Sequence, residues 1–257
     1  MQRHLLTASE PEAFSLERAA GSSPYVLACD HASPLLPLAL GDLGLSAQEL
    51  TRHIAWDIGI APVASRLSAQ LDACLVRQNY SRLAIDANRL PGTLQSVVTI
   101  SERTQIPGNQ SLTEAHLELR KREIFEPYHD CIREQIDTRL QSGRALALCS
   151  LHSFTPSYAG VDRPWHVAVL YNRDQRLSRA LLELLREDRA LVVGDNEPYA
   201  VSEETDYTVI VHGERRGVAC IEIEIRQDLI SRADGQNEWA ERLTELLPCA
   251  YASALGG

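Results

Sequence analysis

The chain has 257 residues, of which 44% are hydrophobic and 23% charged, the balance of a globular protein with a sizeable core. Its formal net charge of −10 repels nucleic acid and anionic membrane surfaces on average, so neither is expected as a partner. A local basic pocket for a small anion is compatible with that charge.

No stretch approaches the roughly 18–20 apolar residues of a membrane span. The N-terminal sequence shows no signal-peptide pattern. Six cysteines stand apart without CxxC pairs, so thiolate-held zinc is not expected and a reduced, cytoplasmic setting is. With no internal repeat or linker-like stretch, residues 1–257 read as one domain.

PYVLACD (24–30) predicts the first strand, an apolar run closed by Asp30 and His31. After a proline-rich loop, Ser46 predicts a helix N-cap, with Glu49 completing a capping box. Ile60, Val63, Ala64, Leu67 and Leu71 recur at helical spacing. They predict a helix from near Trp56 to Leu71, with Pro62 in its first turn or kinking it. LDACLVRQ and SRLAIDA predict strands, and NRLPG a turn. Residues 92–112 predict an irregular loop ending in a cap at Thr113. A helical pattern then continues to about Leu140, interrupted at Pro127. ALALCSL and HVAVLY predict buried strands and LSRALLELLRED a helix. LVVGDNEPY, YTVIVHGE and VACIEIEIR predict further strands, and NEWAERLTELLPCAYASAL a closing helix. This alternation predicts an α/β protein with a sheet covered by helices on both faces.

Ligands of open α/β sheets bind beyond the carboxyl ends of the strands. Asp30 and His31 follow PYVLAC, His152 follows LALCSL, and Glu224 with Arg226 closes VACIEI. Two histidines and separate carboxylates at neighbouring strand ends fit a mononuclear zinc site, which in catalytic form takes three N/O ligands and leaves a position for water. HExxH is absent, which excludes the usual metalloprotease helix. A carboxylate beside such a site suits general-base work, and Glu224 is the candidate. Glu222 is expected to face the other way. An ion pair of Glu224 with Arg226 is the plain alternative.

The segments CDHASPLLP, HIAWDIGIAPVA, SRLAIDANR, IPGN, LHSFTP, VVGDNEPY and IEIRQDLI run in order from Tyr25 to Ile230. Together they resemble the N-formylglutamate amidohydrolase family. The resemblance implies a fold like that of the zinc carboxypeptidases, in the zinc-dependent exopeptidase/phosphorylase-hydrolase class with a mixed, mostly parallel sheet. It implies an amidohydrolase that removes a formyl or other small acyl group from an N-acylated amino acid such as N-formylglutamate. It also implies one zinc ion (Zn2+) per chain, held by His31, His152 and a third ligand that is Asp57 or Asp30. DANR (86–89) resembles the Asp-x-Asn-Arg segment of related aspartoacylases and carboxypeptidases, which implies that Asn88 and Arg89 hold a substrate carboxylate. A guanidinium matches a carboxylate by two parallel hydrogen bonds. Arg82 is a candidate to polarise the scissile carbonyl or hold a second carboxylate, and His212 to contact substrate. His129 reads as a packed or surface histidine, and Arg103 and Asn109 receive no role.

The expected partner is therefore a small anionic N-acyl amino acid, and the sequence carries no signal of oligomeric state. Two rivals remain open: carboxypeptidase-like or esterase chemistry on the same zinc site, and a catalytically silent binding protein. A serine hydrolase built on Ser153 lacks the GxSxG elbow.

Overall fold

The computed structural model describes residues 4–256. Its strands are β1 Phe14–Glu17, β2 Tyr25–Cys29, β3 Cys74–Gln78, β4 Ile100–Ser101, β5 Thr104–Gln105 and β6 Ala147–Phe154. They continue with β7 Ser157–Tyr158, β8 Val161–Asp162, β9 Val167–Leu170, β10 Val193–Asp195 and β11 Ala219–Arg226. The α-helices are α1 Ala47–Leu50, α2 Ile60–Leu71, α3 Glu114–Arg120, α4 Glu126–Gln141, α5 Arg176–Glu187 and α6 Ala233–Leu255.

Seven strands form one sheet in the order β1-β3-β2-β6-β11-β9-β10. The central run β3-β2-β6-β11 is parallel. At one edge β1 runs against β3; at the other, β9 runs against β11 and parallel to β10. The fold is thus the expected mixed, mainly parallel α/β sheet. β4 with β5 and β7 with β8 form two small hairpins outside it.

Alternation along the strands sends side chains to two different layers. Leu27, Leu75, Cys149, Leu151, Val169, Ile221 and Ile223 pack with Val63 and Leu67 of α2, Leu181 of α5 and Leu243 of α6. On the opposite face Val26, Val76, Leu148, Ala168 and Cys220 pack with Tyr128 and Ile132 of α4 and with Val209 and Ile210. The first face is apolar to the ends of its strands. The second is apolar only at the amino-terminal halves, and Ser150, His152, Glu222 and Glu224 follow on it. That change of character along one face builds the site.

Several expected elements take another form. SRLAIDA is not a strand. Its backbone is held in turns by remote partners, with Ser81 N donating to Leu35 O and Asp86 N to Ser96 O, both at 2.7 Å. YTVIVHGE is a π-helical turn at Val209–Gly213. Asn88 Oδ1 accepts from Tyr207 N and Thr208 N, each at 2.9 Å, as a cap would. The second helix begins at Ile60, three residues after Asp57, with Pro62 in its first turn as expected. Pro127 does not break its helix. Lys121–Phe125 widens into a π-helical turn between α3 and α4, which accommodates the N–H that proline lacks.

Candidate active site

Parallel pairing of β6 with β11 sets His152 opposite Glu224 and Ser150 opposite Glu222. β2 lies on the other side of β6, and Asp30 and His31 follow directly from it. Asp57 joins them through the backbone, its N–H donating to His31 O at 3.0 Å. Gly59 makes that turn possible at a positive φ of 84°. A Cβ there would stand 2.2 Å from Ile230 O, so no other residue fits.

The three side chains converge. His31 Nδ1 lies 3.3 Å and His152 Nδ1 3.0 Å from Asp57 Oδ2, and the two Nδ1 atoms are 3.2 Å apart. All three residues are buried, and their ligand atoms form a group that could hold a metal ion. Ligand bonds of about 2.0–2.1 Å in a tetrahedral arrangement place donors roughly 3.3–3.4 Å apart, close to these separations.

The outer nitrogens fit the same reading. His31 Nε2 meets Asp86 Oδ1 at 2.7 Å, and His152 Nε2 meets Asp30 Oδ2 at 3.1 Å. Each carboxylate calls for an N–H at Nε2, which leaves the Nδ1 lone pairs facing inward. This is the carboxylate–histidine arrangement that fixes the tautomer of a metal ligand. Asp30 itself accepts from Thr208 Oγ1 at 2.6 Å, Tyr128 Oη at 2.9 Å and Ser150 Oγ at 3.0 Å. Its oxygens are occupied behind the ring of His152, whereas Asp57 Oδ2 stands among the Nδ1 atoms.

Electrostatics agree with this crowding. Burial alone would favour a protonated Asp57, but His31 and His152 outweigh it and hold the carboxyl well below its usual range. Burial likewise opposes charge on His152, yet Glu222, Asp30 and Asp57 raise it well above an ordinary histidine.

A cavity of about 520 Å³ opens over the group. His31, Asp57, Arg82, Asp86, Asn88, Arg89, His152, Glu222 and Glu224 all line it. Glu222 and Glu224 therefore face the same way, which corrects the expectation that they oppose. Residues two apart on a strand share a face. Each has a buried Oε2 with no hydrogen-bond partner among the described residues, although that of Glu222 lies 4.0 Å from His152 Nε2. Burial pushes Glu222 up to about 8 and Glu224 up to about 7, against the pull of His152 on both. Arg226 does not pair with Glu224; it bonds Asp228 at 2.8 Å.

On the cavity wall Arg82 donates to Asp86 Oδ2 from Nη2 at 2.7 Å. Arg89 Nη1 donates to Asn88 O at 2.9 Å and reaches Asp206 Oδ1 at 3.4 Å. Asn88 spends its Oδ1 on the 207–208 backbone and presents its Nδ2 beside Asp206. His212 is not among the lining residues. It is buried, with Nε2 3.0 Å from His129 Nδ1, and burial depresses the pair to about 3 and about 4 respectively. Ser153 donates from Oγ to Ile58 O at 2.9 Å, a structural tie. Asn109 and Arg120 lie away from the cavity and satisfy the buried carbonyls of Leu83 and Ala84. Sequence reasoning gave Asp86 no role; spacing on the strand could have placed Glu222 in the cavity beside Glu224.

The family model for N-formylglutamate amidohydrolase matches residues 23–231. The crystal structure of gene product Atu2144 from Agrobacterium tumefaciens is similar at 38% identity and a TM-score of 0.94, over 97% of this chain and 99% of that one. The N-formylglutamate amidohydrolase of Ralstonia eutropha JMP134 shares the fold, with a TM-score of 0.69 and 20% identity over 96% of this chain and 100% of that one. No curated protein sequence matches. No helix among the described residues is long and apolar enough to cross a membrane. The chain belongs to the N-formylglutamate amidohydrolase family and is, with it, a hydrolase of amide bonds.

Proposed function

We propose that this protein, acting as one catalytic domain, is a zinc-dependent amidohydrolase that releases formate from an N-formyl amino acid such as N-formylglutamate. The observation that carries the reading is the convergence of His31 Nδ1, His152 Nδ1 and Asp57 Oδ2 on the floor of the cavity, beside a buried Glu224 oxygen without a partner. His31, Asp57 and His152 would hold the metal. Bound there, zinc supplies Lewis acidity that polarises a carbonyl and acidifies water.

The chain's own residues account for the rest. Glu224, raised to about 7, is poised to accept a proton from the attacking water and pass it to the departing nitrogen. The C–N bond of the amide breaks as the new C–O bond forms, giving formate and a free amine. Arg82, fixed by Asp86, stands on the wall where a cation can draw charge onto the carbonyl oxygen. Arg89 and the Nδ2 of Asn88 are offered to the α-carboxylate. Asp30 and Asp86 orient the two histidine rings.

The test is formate release from a panel of N-formyl amino acids by the zinc-loaded protein. Turnover of N-formyl amino acids, with none of simple esters or C-terminal peptide bonds, is the expected outcome. Cleavage of peptides or esters with no formate release would overturn it.

A further inference from the structure

Two buried histidines meet behind the cavity wall. His129 on α4 and His212 in the π-helical turn are each 3% exposed, and neither lines the cavity. His129 Nε2 lies 2.8 Å from Ala87 O, and His129 Nδ1 lies 3.0 Å from His212 Nε2. The two rings are within 15° of coplanar. Phe125 and Tyr207 stand against His129 with ring centres 4.2 and 4.5 Å away, which leaves the imidazole little room to turn.

A carbonyl oxygen only accepts, so His129 Nε2 carries a proton. Burial pushes His129 down to about 4 and His212 down to about 3, so both rings are neutral near pH 7. His129 Nδ1 is then a lone pair, and His212 Nε2 donates to it. Each bond fixes the next: His212 sets the tautomer of His129, and His129 donates to Ala87 O.

That carbonyl belongs to the peptide group joining Ala87 to Asn88, and the other end of the group is held as well. Asn88 N donates to Asp86 Oδ1 at 2.9 Å, the oxygen that also meets His31 Nε2. A peptide group is planar, so fixing its C=O and its N–H fixes the plane. Asp86 keeps His31, Arg82 and the backbone of Ser96 as further partners. Asn88 is held through Tyr207 N and Thr208 N, and the Tyr207 ring itself packs on His129. Loss of the bond to Ala87 O therefore falls on Asn88 and Arg89 more than on Asp86.

We propose that His129 and His212 are positioning residues, a neutral two-ring relay that orients the 87–88 peptide and with it Asn88 and Arg89 for the substrate's α-carboxylate. The role given to Asn88 and Arg89 rests on the amidohydrolase reading above. A lysine could also donate to Ala87 O, but it would bring an unpaired charge into the apolar layer of Tyr128, Val209 and Ile210. The imidazole pair supplies the donor without the charge.

The experiment compares the zinc-loaded protein with His212→Leu and His212→Gln on N-formylglutamate and on its α-amide. Leucine removes the N–H, whereas the glutamine carboxamide can supply one near the position of Nε2. His212→Leu is expected to raise KM for the acid about 5- to 100-fold, the upper figure being the effect of a misplacement of about 1 Å. Its KM for the amide and its kcat on both substrates should change less than about threefold, the mark of lost binding alone. His212→Gln should restore most of the KM. Equal losses on acid and amide, wild-type behaviour of His212→Leu, or a His212→Gln no better than His212→Leu would overturn the proposal.

Nitrogen NMR of isotope-labelled histidines needs no turnover. It should show His129 as the neutral Nε2–H tautomer across about pH 5–8, and an imidazolium or Nδ1–H form there would contradict the relay. The Nε2–H signal of wild type should shift on binding glutamate and stay in place with glutamate α-amide; no shift, or the same shift with both, would contradict it too. If neither formyl substrate releases formate, the amidohydrolase reading fails, and this titration still decides on the relay. It decides equally if His212→Leu does not fold.

Discussion

Arg82 and Asp86 share one oxygen, with Nη2 at 2.7 Å and Nε at 3.0 Å from Oδ2, while Oδ1 of the same carboxylate meets His31 Nε2 at 2.7 Å. One side chain thus fixes both the cation on the cavity wall and the ring that points to the proposed metal position. Asp86→Ala is expected to lower zinc affinity about 10- to 100-fold, the usual effect of removing such a supporting group. Competition with a chromogenic chelator measures it. An unchanged affinity would detach Asp86 from the site.

Glu224→Gln should keep the metal and lose about 10²- to 10⁴-fold in kcat, the range of a general acid–base group. Glu222, in the same cavity, is the control. If Glu222→Gln shows the larger loss and Glu224→Gln less than about threefold, the proton shuttle is Glu222.

The paired acids also predict a pH dependence of stability. Burial raises the carboxyls of Glu222 and Glu224 from 4.5 to about 8 and about 7. The folded, metal-free protein therefore holds more protons than the unfolded chain between those limits, and its stability falls as pH rises through that window. Glu222→Gln removes one of these groups. In the metal-free protein its Tm should exceed wild type increasingly from pH 5 to pH 8, as thermal scans over that range would show. A gap that narrows with rising pH would contradict the sign.

Arg89→Ala is expected to cost roughly 10- to 150-fold in kcat/KM on an N-formyl amino acid, from a lost contact of about 1.5–3 kcal/mol. The corresponding N-formyl amino-acid amide should be almost unaffected. Equal losses on acid and amide would make Arg89 structural, in keeping with its contacts to Asn88 and Asp206.

The parts of this molecule that could be read from sequence are those where burial is local. PYVLAC, ALALC and VACI are unbroken apolar runs, and each belongs to a central strand of the sheet. His31 and His152 are legible because a histidine ending or interrupting such a run breaks its pattern. SRLAIDA carries the same apolar signal yet forms turns. Its carbonyls are satisfied from far away, by Asn109 at Leu83 O and Arg120 at Ala84 O, and no local pattern encodes those donors. YTVIVHGE is rich in β-branched residues, but Asn88 caps it as a helical turn from 119 residues earlier in the chain. The convergence of Asp57 with the histidines is of the same kind. Its sequence context is an ordinary helix start, and only the pairing of its N–H with His31 O brings it under the rings.

The proposed metal position and the proposed reaction centre are one site. Elemental analysis of the purified protein, read together with formate release before chelation, after it and after zinc is restored, tests this most directly. About one zinc per chain is predicted in wild type and little in His31→Ala or His152→Ala. Affinity should fall as pH drops through the raised pKa of His152, because zinc binds neutral imidazole. Activity should vanish with the metal and return with it. Full metal content in both histidine variants, or undiminished formate release from metal-free protein, would contradict it.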